Sequence, residues 1–256
     1  TEEAKTKAIN LKNRCYNNMN REDRDQQLFD EIAYNFDKKD VFSSTSIIRK
    51  ERLIKAVKPI IEKNYNLGNV VDIGCGVGSA AKYLKGRYRS YLGIDHSDGL
   101  IMAARNFNKD NENATFICSN IKAQKLAKVK SDTILALGVL HHMTELDIVL
   151  SSLKKMAKHG SYIVAIEPID VNPFVQLLRW IRGKIDSSYS EEQHFFSVDE
   201  LINLFASNGL SNITVKYHGI FSKPLSTVVL KPQFIFIPIS RLFMKLDNQI
   251  ERYLPW

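Results

Sequence analysis

Short apolar runs alternate with amphipathic stretches between residues 70 and 217. The runs lie at 70–73 and 91–94 and within 114–120, 131–143 and 161–174. Each is short enough for a buried strand, and apolar positions recur at helical spacing between them. This alternation predicts an α/β fold, in which a parallel sheet carries helices on both faces and its crossovers are right-handed. Ligands of such sheets bind at the carboxyl ends of the strands, where the strand order reverses.

Helical patterns flank this region on both sides. Residues 43–63 have apolar positions typical of an amphipathic helix, or of a helix pair interrupted at Pro59. At the other end, residues 238–256 place one set of side chains on a single helical face: Ile239, Leu242, Phe243, Leu246, Ile250, Tyr253 and Leu254. We expect this helix to pack on the protein's own sheet or on a second subunit. The alternative is a helix that lies on a membrane surface.

A glycine-rich bend follows the first strand. Gly74, Gly76 and Gly78 stand between an apolar run and a helical stretch. Glycine lacks a Cβ, so a ligand can lie directly on such a backbone, and the N–H groups of the next helix favour a polar or anionic group. Asp95 ends the next strand, about 20 residues further on, where a carboxylate can accept hydrogen bonds from ribose hydroxyls. The pattern predicts a cofactor that contains a nucleoside.

The glycine spacing distinguishes between two such cofactors. A dinucleotide fingerprint needs Gly or Ala at position 79, where this chain has Ser79. The spacing GxGxG preceded by Asp72 instead resembles the first motif of class I S-adenosylmethionine (SAM)-dependent methyltransferases. The resemblance covers roughly residues 69–217. Further matching segments follow in the family's order: 93–105, 114–120, 131–143 with its LHH turn, 161–174 with its EP…NP loop, and 196–210. Ser197 and Glu200 in the last segment form a capping box.

The resemblance implies a Rossmann-like, doubly wound, mostly parallel sheet of seven strands. Family members usually end with an antiparallel strand beside the one expected at 211–217, and residues 226–230 are the candidate. We therefore predict an N-terminal helical cap (1–66), a SAM-binding domain (67–219) with a helical lid at about 174–196, and a C-terminal extension (220–256). The lid aromatics have an equally good alternative role in packing a helix pair on the sheet.

The resemblance also implies a set of cofactor contacts. Around the bend, Asp72 would meet the methionine end of SAM or brace the loop, and Cys75 would be a small residue in a tight turn. Asn120 stands where the family usually has an Asp facing adenine. The full predicted set is Asp72, Gly74, Cys75, Gly76 and Gly78 at the bend, Asp95 and His96 at the ribose, Asn120 and Ile121 at adenine, and Gly138 beneath the methyl group.

Methyl transfer is an in-line displacement, so the enzyme chiefly aligns the reacting atoms and excludes water. A general base is needed only where the acceptor carries a proton of high pKa, as a hydroxyl does and a carboxylate does not. The candidate bases are His141 and His142 after the fourth strand, Glu167 at the fifth strand tip, and His194 in the lid. No grouping of residues has metal-ligand spacing, so we predict a metal-independent reaction.

Composition narrows the partners and the setting. The 256 residues are 44% apolar and 25% charged, which suits one compact enzyme. The net charge of +8 favours an anionic acceptor or membrane surface over nucleic acid, because the basic residues are dispersed. Cys15, Cys75 and Cys118 give no disulfide framework, so a reducing cytoplasm is expected. No apolar stretch reaches the length of about 18 residues that a membrane-spanning helix needs, so we do not expect the chain to span a membrane.

The sequence thus predicts a SAM-dependent methyltransferase whose product is S-adenosylhomocysteine (SAH). Oxygen of a natural product, a peptide carboxylate or a glycan- or lipid-linked acceptor is the favoured methylation site. Nitrogen is the first alternative, and an NAD-dependent oxidoreductase or a non-catalytic SAM-binding subunit are the others. The acceptor itself and the oligomeric state stay open.

Overall fold

The computed structural model describes Arg24, Gln26, Asp30 and residues 42–169, 195–226 and 230–253. The described part of the chain contains a five-stranded parallel sheet. Its strands are β1 (Asn69–Ile73), β2 (Ser90–Asp95), β3 (Ala114–Cys118), β4 (Ser131–Leu137) and β5 (Ala157–Ile166). The helices are α1 (Ser43–Asn64), α2 (Ser79–Tyr83), α3 (Asp98–Phe107), α4 (Leu146–Met156), α5 (Val198–Ser207) and α6 (Gln233–Ile250). Short 3₁₀ turns lie at Gln124–Lys128, Leu140–His142 and Pro224–Ser226.

The strand order is β3-β2-β1-β4-β5, with every pair parallel. The order reverses at β1, which lies between β2 and β4. The carboxyl ends of these central strands therefore border the crevice where α/β sheets bind ligands. This confirms the predicted Rossmann-like architecture.

Alternating side chains of the strands form two cores. Val70 and Leu135 belong to one buried cluster with residues of α1, α2 and α3. Val71 and Ile134 belong to the other cluster, against which α4 and α5 pack. Successive side chains of a strand point to opposite faces, so nearly continuous apolar runs are needed to cover both sides of the sheet. Helices on both faces were predicted and are present.

The structure differs from the expected seven strands. Residues 211–217 form no strand, and among residues 226–230 only Ser226 and Leu230 are described. Ser226 closes a 3₁₀ turn, in which its N–H donates to the carbonyl of Lys223 at 3.1 Å. Because Ser226 is not extended, the expected antiparallel strand does not begin there. The described sheet thus has five strands.

Helix α1 runs unbroken through Pro59, contrary to the predicted interruption. Pro59 lies on the exposed side of the helix, where water can satisfy the carbonyl that its missing N–H leaves unpaired. Helix α5 begins as predicted. The Ser197 hydroxyl accepts the Glu200 N–H at 3.1 Å, and the Glu200 carboxylate accepts the Ser197 N–H at 3.4 Å.

Helix α6 packs against α1 with a polar face. It begins at Gln233 rather than at 238, and Pro238 lies inside it. Ser240 is buried and donates to the carbonyl of Ser44 at 2.8 Å. Asp247 is also buried and accepts the backbone N–H groups of Phe221 and Ser222 at 2.7 and 2.9 Å. The helix packs on the protein itself, as favoured, but on α1 rather than on the sheet. Of the predicted apolar set, Leu242, Leu246 and Tyr253 are exposed.

Candidate active site

The glycine bend lies between β1 and α2. Gly74, Gly76 and Gly78 have φ values of 62°, 52° and 70°, in the left-handed region that side chains rarely adopt. A Cβ on Gly74 would lie 2.1 Å from Cγ2 of Val139, and one on Gly78 would lie 2.7 Å from the Phe116 ring. A Cβ on Gly76 would meet nothing within 4 Å. Two glycines are therefore required by packing, whereas Gly76 faces open space in which a ligand can lie.

Asp95 fastens the tip of β2 to this bend. Its carboxylate accepts the N–H of Gly76 at 2.9 Å and the N–H of Ser97 at 3.0 Å. The Asp95 side chain is only 6% exposed, so it is nearly buried beneath these contacts. His96 follows, with its Nδ1 3.6 Å from the Asp95 carboxylate. The predicted ribose contacts Asp95 and His96 thus stand beside Gly76.

Two described residues of the N-terminal segment contact the same strand tip. Gln26 donates to the carbonyl of His96 at 2.9 Å. Asp30 accepts a hydrogen bond from the Ser97 hydroxyl and another from the Gly99 N–H at 3.1 Å. These contacts lie where a cap over the cofactor was predicted.

Asp72 lies beneath the bend and is fully buried. The hydroxyl of Tyr91 donates to one carboxylate oxygen. The other oxygen, Oδ1, is buried without a hydrogen-bond partner among the residues that the structure describes. Burial raises the pKa of Asp72 to about 7, against the opposing effect of the Tyr91 hydrogen bond. Among the described residues, Asp72 thus forms a hydrogen bond with Tyr91 of the neighbouring strand β2 and not with a backbone N–H group of the bend.

The tip of β3 carries the residues predicted for adenine. Asn120 is exposed, and its side-chain oxygen accepts the N–H of Lys122 at 2.8 Å. Ile121 is 8% exposed and packs in the core on one side of the sheet. The Ser119 N–H donates to the carbonyl of Asp95 at 2.8 Å, which holds this tip beside β2.

A carboxylate at the end of β5 organises the turn after β4. One oxygen of Glu167 accepts the N–H groups of Val139 and Leu140 at 3.0 and 2.8 Å. Its other oxygen lies 2.7 Å from Nδ1 of His141. The Glu167 side chain is 1% exposed and that of His141 is 9% exposed. The structure thus brings two of the candidate bases into one hydrogen-bonded pair.

This contact defines the chemistry of His141. A carboxylate oxygen only accepts hydrogen bonds, so Nδ1 carries the proton and the lone pair is on Nε2. Burial lowers the pKa of His141, and Glu167 opposes this shift only in part. The neutral imidazole near pH 7 has the form that a general base requires. The His142 ring lies 4.1 Å from the His141 ring, centroid to centroid.

Gly138 precedes this turn with a φ of 70°. Its N–H donates to the carbonyl of Ile166 at 2.7 Å. A Cβ on Gly138 would approach nothing closer than 3.9 Å, so the space beside it is open. Its place beneath the transferable methyl group stays a prediction.

The remaining candidate base, His194, lies outside the described residues, as does the predicted lid apart from Phe195 and Phe196. Phe196 is buried and forms a parallel bridge with Ile169. Within the ranges that the structure describes, no three His, Cys, Asp or Glu side chains converge to hold a metal ion.

Sequence reasoning missed two contributors. Val139 fills the space that Gly74 leaves open, and Tyr91 hydrogen-bonds to Asp72. Both lie on strands or turns that pair only in three dimensions, so the local pattern contains no signal for Val139. Tyr91 lies opposite Val70 in the β1–β2 register, which becomes visible only once the strands are paired.

A family model described as "Methyltransferase domain" matches residues 71–165, which include the bend, Asp95 and His141. The matched residues are those of a methyltransferase domain. This confirms the predicted SAM-dependent methyltransferase class and its cofactor. The match begins at the third residue of β1 and ends next to the β5 tip.

The curated relatives are much longer proteins. The PKS-NRPS hybrid synthetase cheA of Chaetomium globosum is 26% identical over 185 residues, which cover 66% of this chain and 4% of that protein. The hybrid PKS-NRPS synthetase buaA of Petromyces alliaceus is 27% identical over 199 residues, or 71% of this chain and 5% of that protein. The chain therefore spans about one twentieth of the length of these relatives.

Solved structures share the fold. The magnesium protoporphyrin IX methyltransferase ChlM of Synechocystis, solved with bound SAH, aligns with a TM-score of 0.59 and 17% identity over 75% of this chain and 90% of that one. The YcgJ protein of Bacillus subtilis aligns with a TM-score of 0.50 and 19% identity over 61% and 68%. No helix among the described residues is long and apolar enough to cross a membrane.

Proposed function

We propose that this methyltransferase acts on an oxygen atom of a small natural-product acceptor of the polyketide or peptide type, with His141 as the general base. The observation that supports this most is the pairing of His141 with the buried Glu167 at the turn after β4. A base held in one tautomer is useful only for an acceptor that must lose a proton. A hydroxyl fits this requirement, whereas a carboxylate does not.

Under this proposal, some residues around the crevice bind the cofactor and others remove the acceptor proton. When bound, SAM supplies a methyl group on a positively charged sulfur. Gly76 offers open backbone for the cofactor, and Asp95 stands beside it to accept hydrogen bonds from the ribose. Gly138 leaves room at the end of β4, next to the turn that carries His141. His141 Nε2 would take the acceptor proton, and the Glu167 carboxylate would stabilise the imidazolium that forms.

The acceptor class follows from the relatives and from the charge. Both curated relatives above are named as synthetases that combine polyketide and nonribosomal peptide assembly. Such products carry hydroxyl and enol groups of the kind that a base can deprotonate. The net charge of +8 favours an acceptor that is itself anionic.

The proposal is tested with methyl-labelled SAM and paired acceptors. A phenolic or enolic polyketide and its counterpart with the hydroxyl blocked are incubated with the enzyme, and the labelled position is located by mass spectrometry. Labelled product from the free hydroxyl alone is expected. Methylation of both acceptors at the same carbon or nitrogen would refute transfer to oxygen.

Variants at the pair test the base. His141→Ala should lower kcat by roughly 10²–10⁴-fold with SAM affinity unchanged. Glu167→Gln retains an oxygen for the two backbone N–H groups, but its amide N–H₂ faces Nδ1 and imposes the other tautomer, so kcat should fall over a similar range. His159→Ala, an exposed position on β5, is the matched control. Full turnover by His141→Ala at neutral pH would remove His141 from the mechanism.

A further inference from the structure

The outer face of α6, the side that points away from α1, exposes large apolar side chains. Phe234 is 77% exposed, Leu242 is 55% exposed and Tyr253, just beyond the helix, is 86% exposed. Ile235 and Leu246 are also exposed. Residues 235, 242 and 246 are separated by seven and four positions, so they form one stripe along the helix, and Tyr253 follows its C-terminal end. Contiguous apolar surface of this kind marks a site of interaction.

Charge is distributed unevenly around the same helix. Its acidic residues turn inward: Asp247 accepts two backbone N–H groups, and Glu251, just past the helix, lies 2.8 Å from the Lys55 ammonium. The exposed charged residues of the segment 230–253 are all basic: Lys231, Arg241, Lys245 and Arg252. The outer face therefore combines an apolar stripe with cations and has no carboxylate among its described residues.

We propose that the outer face of α6 binds the surface of an anionic phospholipid membrane, with the helix lying in the plane of the interface. Exposed apolar side chains would enter the boundary between headgroups and acyl chains, and the flanking cations would meet lipid phosphates. A helix of this length extends about 27 Å, which is sufficient for several lipid contacts along its axis. The inward polar contacts to α1 keep the helix folded on the protein while its outer face binds lipid.

This inference is independent of the acceptor and of the base. It rests on which side chains of α6 are exposed and on the sign of their charges. The binding assay needs no turnover, so its failure and a failure of the proposed reaction are distinguishable.

The test is sedimentation of the full chain with vesicles. Vesicles of phosphatidylcholine with about one third phosphatidylglycerol are compared with pure phosphatidylcholine at low and high salt. Binding is expected to the anionic vesicles, and it should weaken as salt is added. The double variant Arg241→Gln/Lys245→Gln removes two cations. Because each basic residue near an anionic surface contributes about 1 kcal/mol of binding free energy, the partition coefficient should fall by about 30-fold. The control Lys109→Gln/Lys128→Gln removes the same charge from exposed positions elsewhere.

A second pair of variants tests the apolar stripe. Leu242→Glu should lower partitioning by at least about 10-fold, because a buried leucine contributes more than 1.4 kcal/mol. Ile148→Glu, on the exposed side of α4, makes the same charge change away from the stripe and should have a smaller effect. Thermal unfolding and SAM binding verify that each variant is folded. Equal effects of Leu242→Glu and Ile148→Glu would overturn the proposal, as would the absence of sedimentation with anionic vesicles.

Light scattering of the protein without vesicles tests whether a second copy of this chain, rather than a membrane, covers the outer face of α6. A dimer that Leu242→Glu dissociates, together with no binding to vesicles, would assign the face to a second copy of this chain and refute the lipid proposal. A monomer that sediments with anionic vesicles supports it.

Discussion

Gly76 is the position at which an added methyl group should weaken cofactor binding far more than it disturbs the packing of the fold. A Cβ there would meet no protein atom within 4 Å, and the backbone N–H already donates to Asp95. If SAM lies on this backbone, the Cβ of Gly76→Ala would occupy space that the cofactor needs. The contrast is with Gly74, where the Cβ would strike Val139 and the fold itself would suffer.

The cost of backbone strain can be separated from the loss of cofactor binding by a control variant. Gly76 has a φ of 52°, and a residue with a Cβ costs about 1–2 kcal/mol in this region. For a domain of this size, that lowers Tm by roughly 2–8 °C. Gly86 carries the same kind of strain, with a φ of 81° and no atom within 4 Å of an added Cβ, and it lies away from the crevice. Gly86→Ala therefore reproduces the backbone cost alone.

The assay is titration calorimetry of SAM and SAH, with thermal unfolding of each ligand-free variant alongside. Gly76→Ala and Gly86→Ala should have similar Tm values. Gly76→Ala should bind SAM at least about 10-fold more weakly, equivalent to 1.4 kcal/mol, and Gly86→Ala should bind as the unaltered protein does. Equal SAM affinity of the two variants would refute the assignment of the bend as the surface that binds the cofactor.

Two further predictions concern stability. Burial raises the pKa of Asp72 from 3.8 to about 7, so the folded state keeps a proton that the unfolded state releases, and the ligand-free protein should lose stability as pH rises from about 4 to about 7. Asp72→Asn still accepts the Tyr91 hydroxyl, so its Tm should fall less between pH 5 and pH 8, and parallel curves for the two proteins would contradict this. Ser197→Ala removes one half of the α5 capping box and should cost about 1 kcal/mol, or roughly 2–4 °C in Tm. Ser207→Ala at the exposed end of the same helix is its control, and an equal loss from both would argue against the cap.

Local spacing was sufficient for the features that local chemistry determines. The bend from Gly74 to Gly78, the acid at 95 and the capping box at Ser197 and Glu200 follow from residues within one turn, or from one strand and its neighbour. The alternation of strands and helices was likewise sufficient to place these positions at one edge of a parallel sheet. The structure confirms the capping box and the sheet.

Features that depend on contacts with residues distant in the sequence could not be predicted from local spacing. The amphipathic pattern of α6 predicts a buried apolar face, yet Ser240 and Asp247 are buried because Ser44, Phe221 and Ser222 offer them partners. The pattern along one helix contains no information on whether the facing segment is apolar or presents unpaired backbone groups.

The cofactor bend and the His141–Glu167 pair form one connected unit. Glu167 holds the N–H of Val139, and the side chain of Val139 occupies the space left by the missing Cβ of Gly74. The same carboxylate orients the imidazole of His141 through its other oxygen. One buried residue after β5 thus contacts both the turn that packs on the bend and the imidazole of His141. Under the proposed mechanism, this residue keeps the donor surface and the proton acceptor in a constant relation although they lie on different strands.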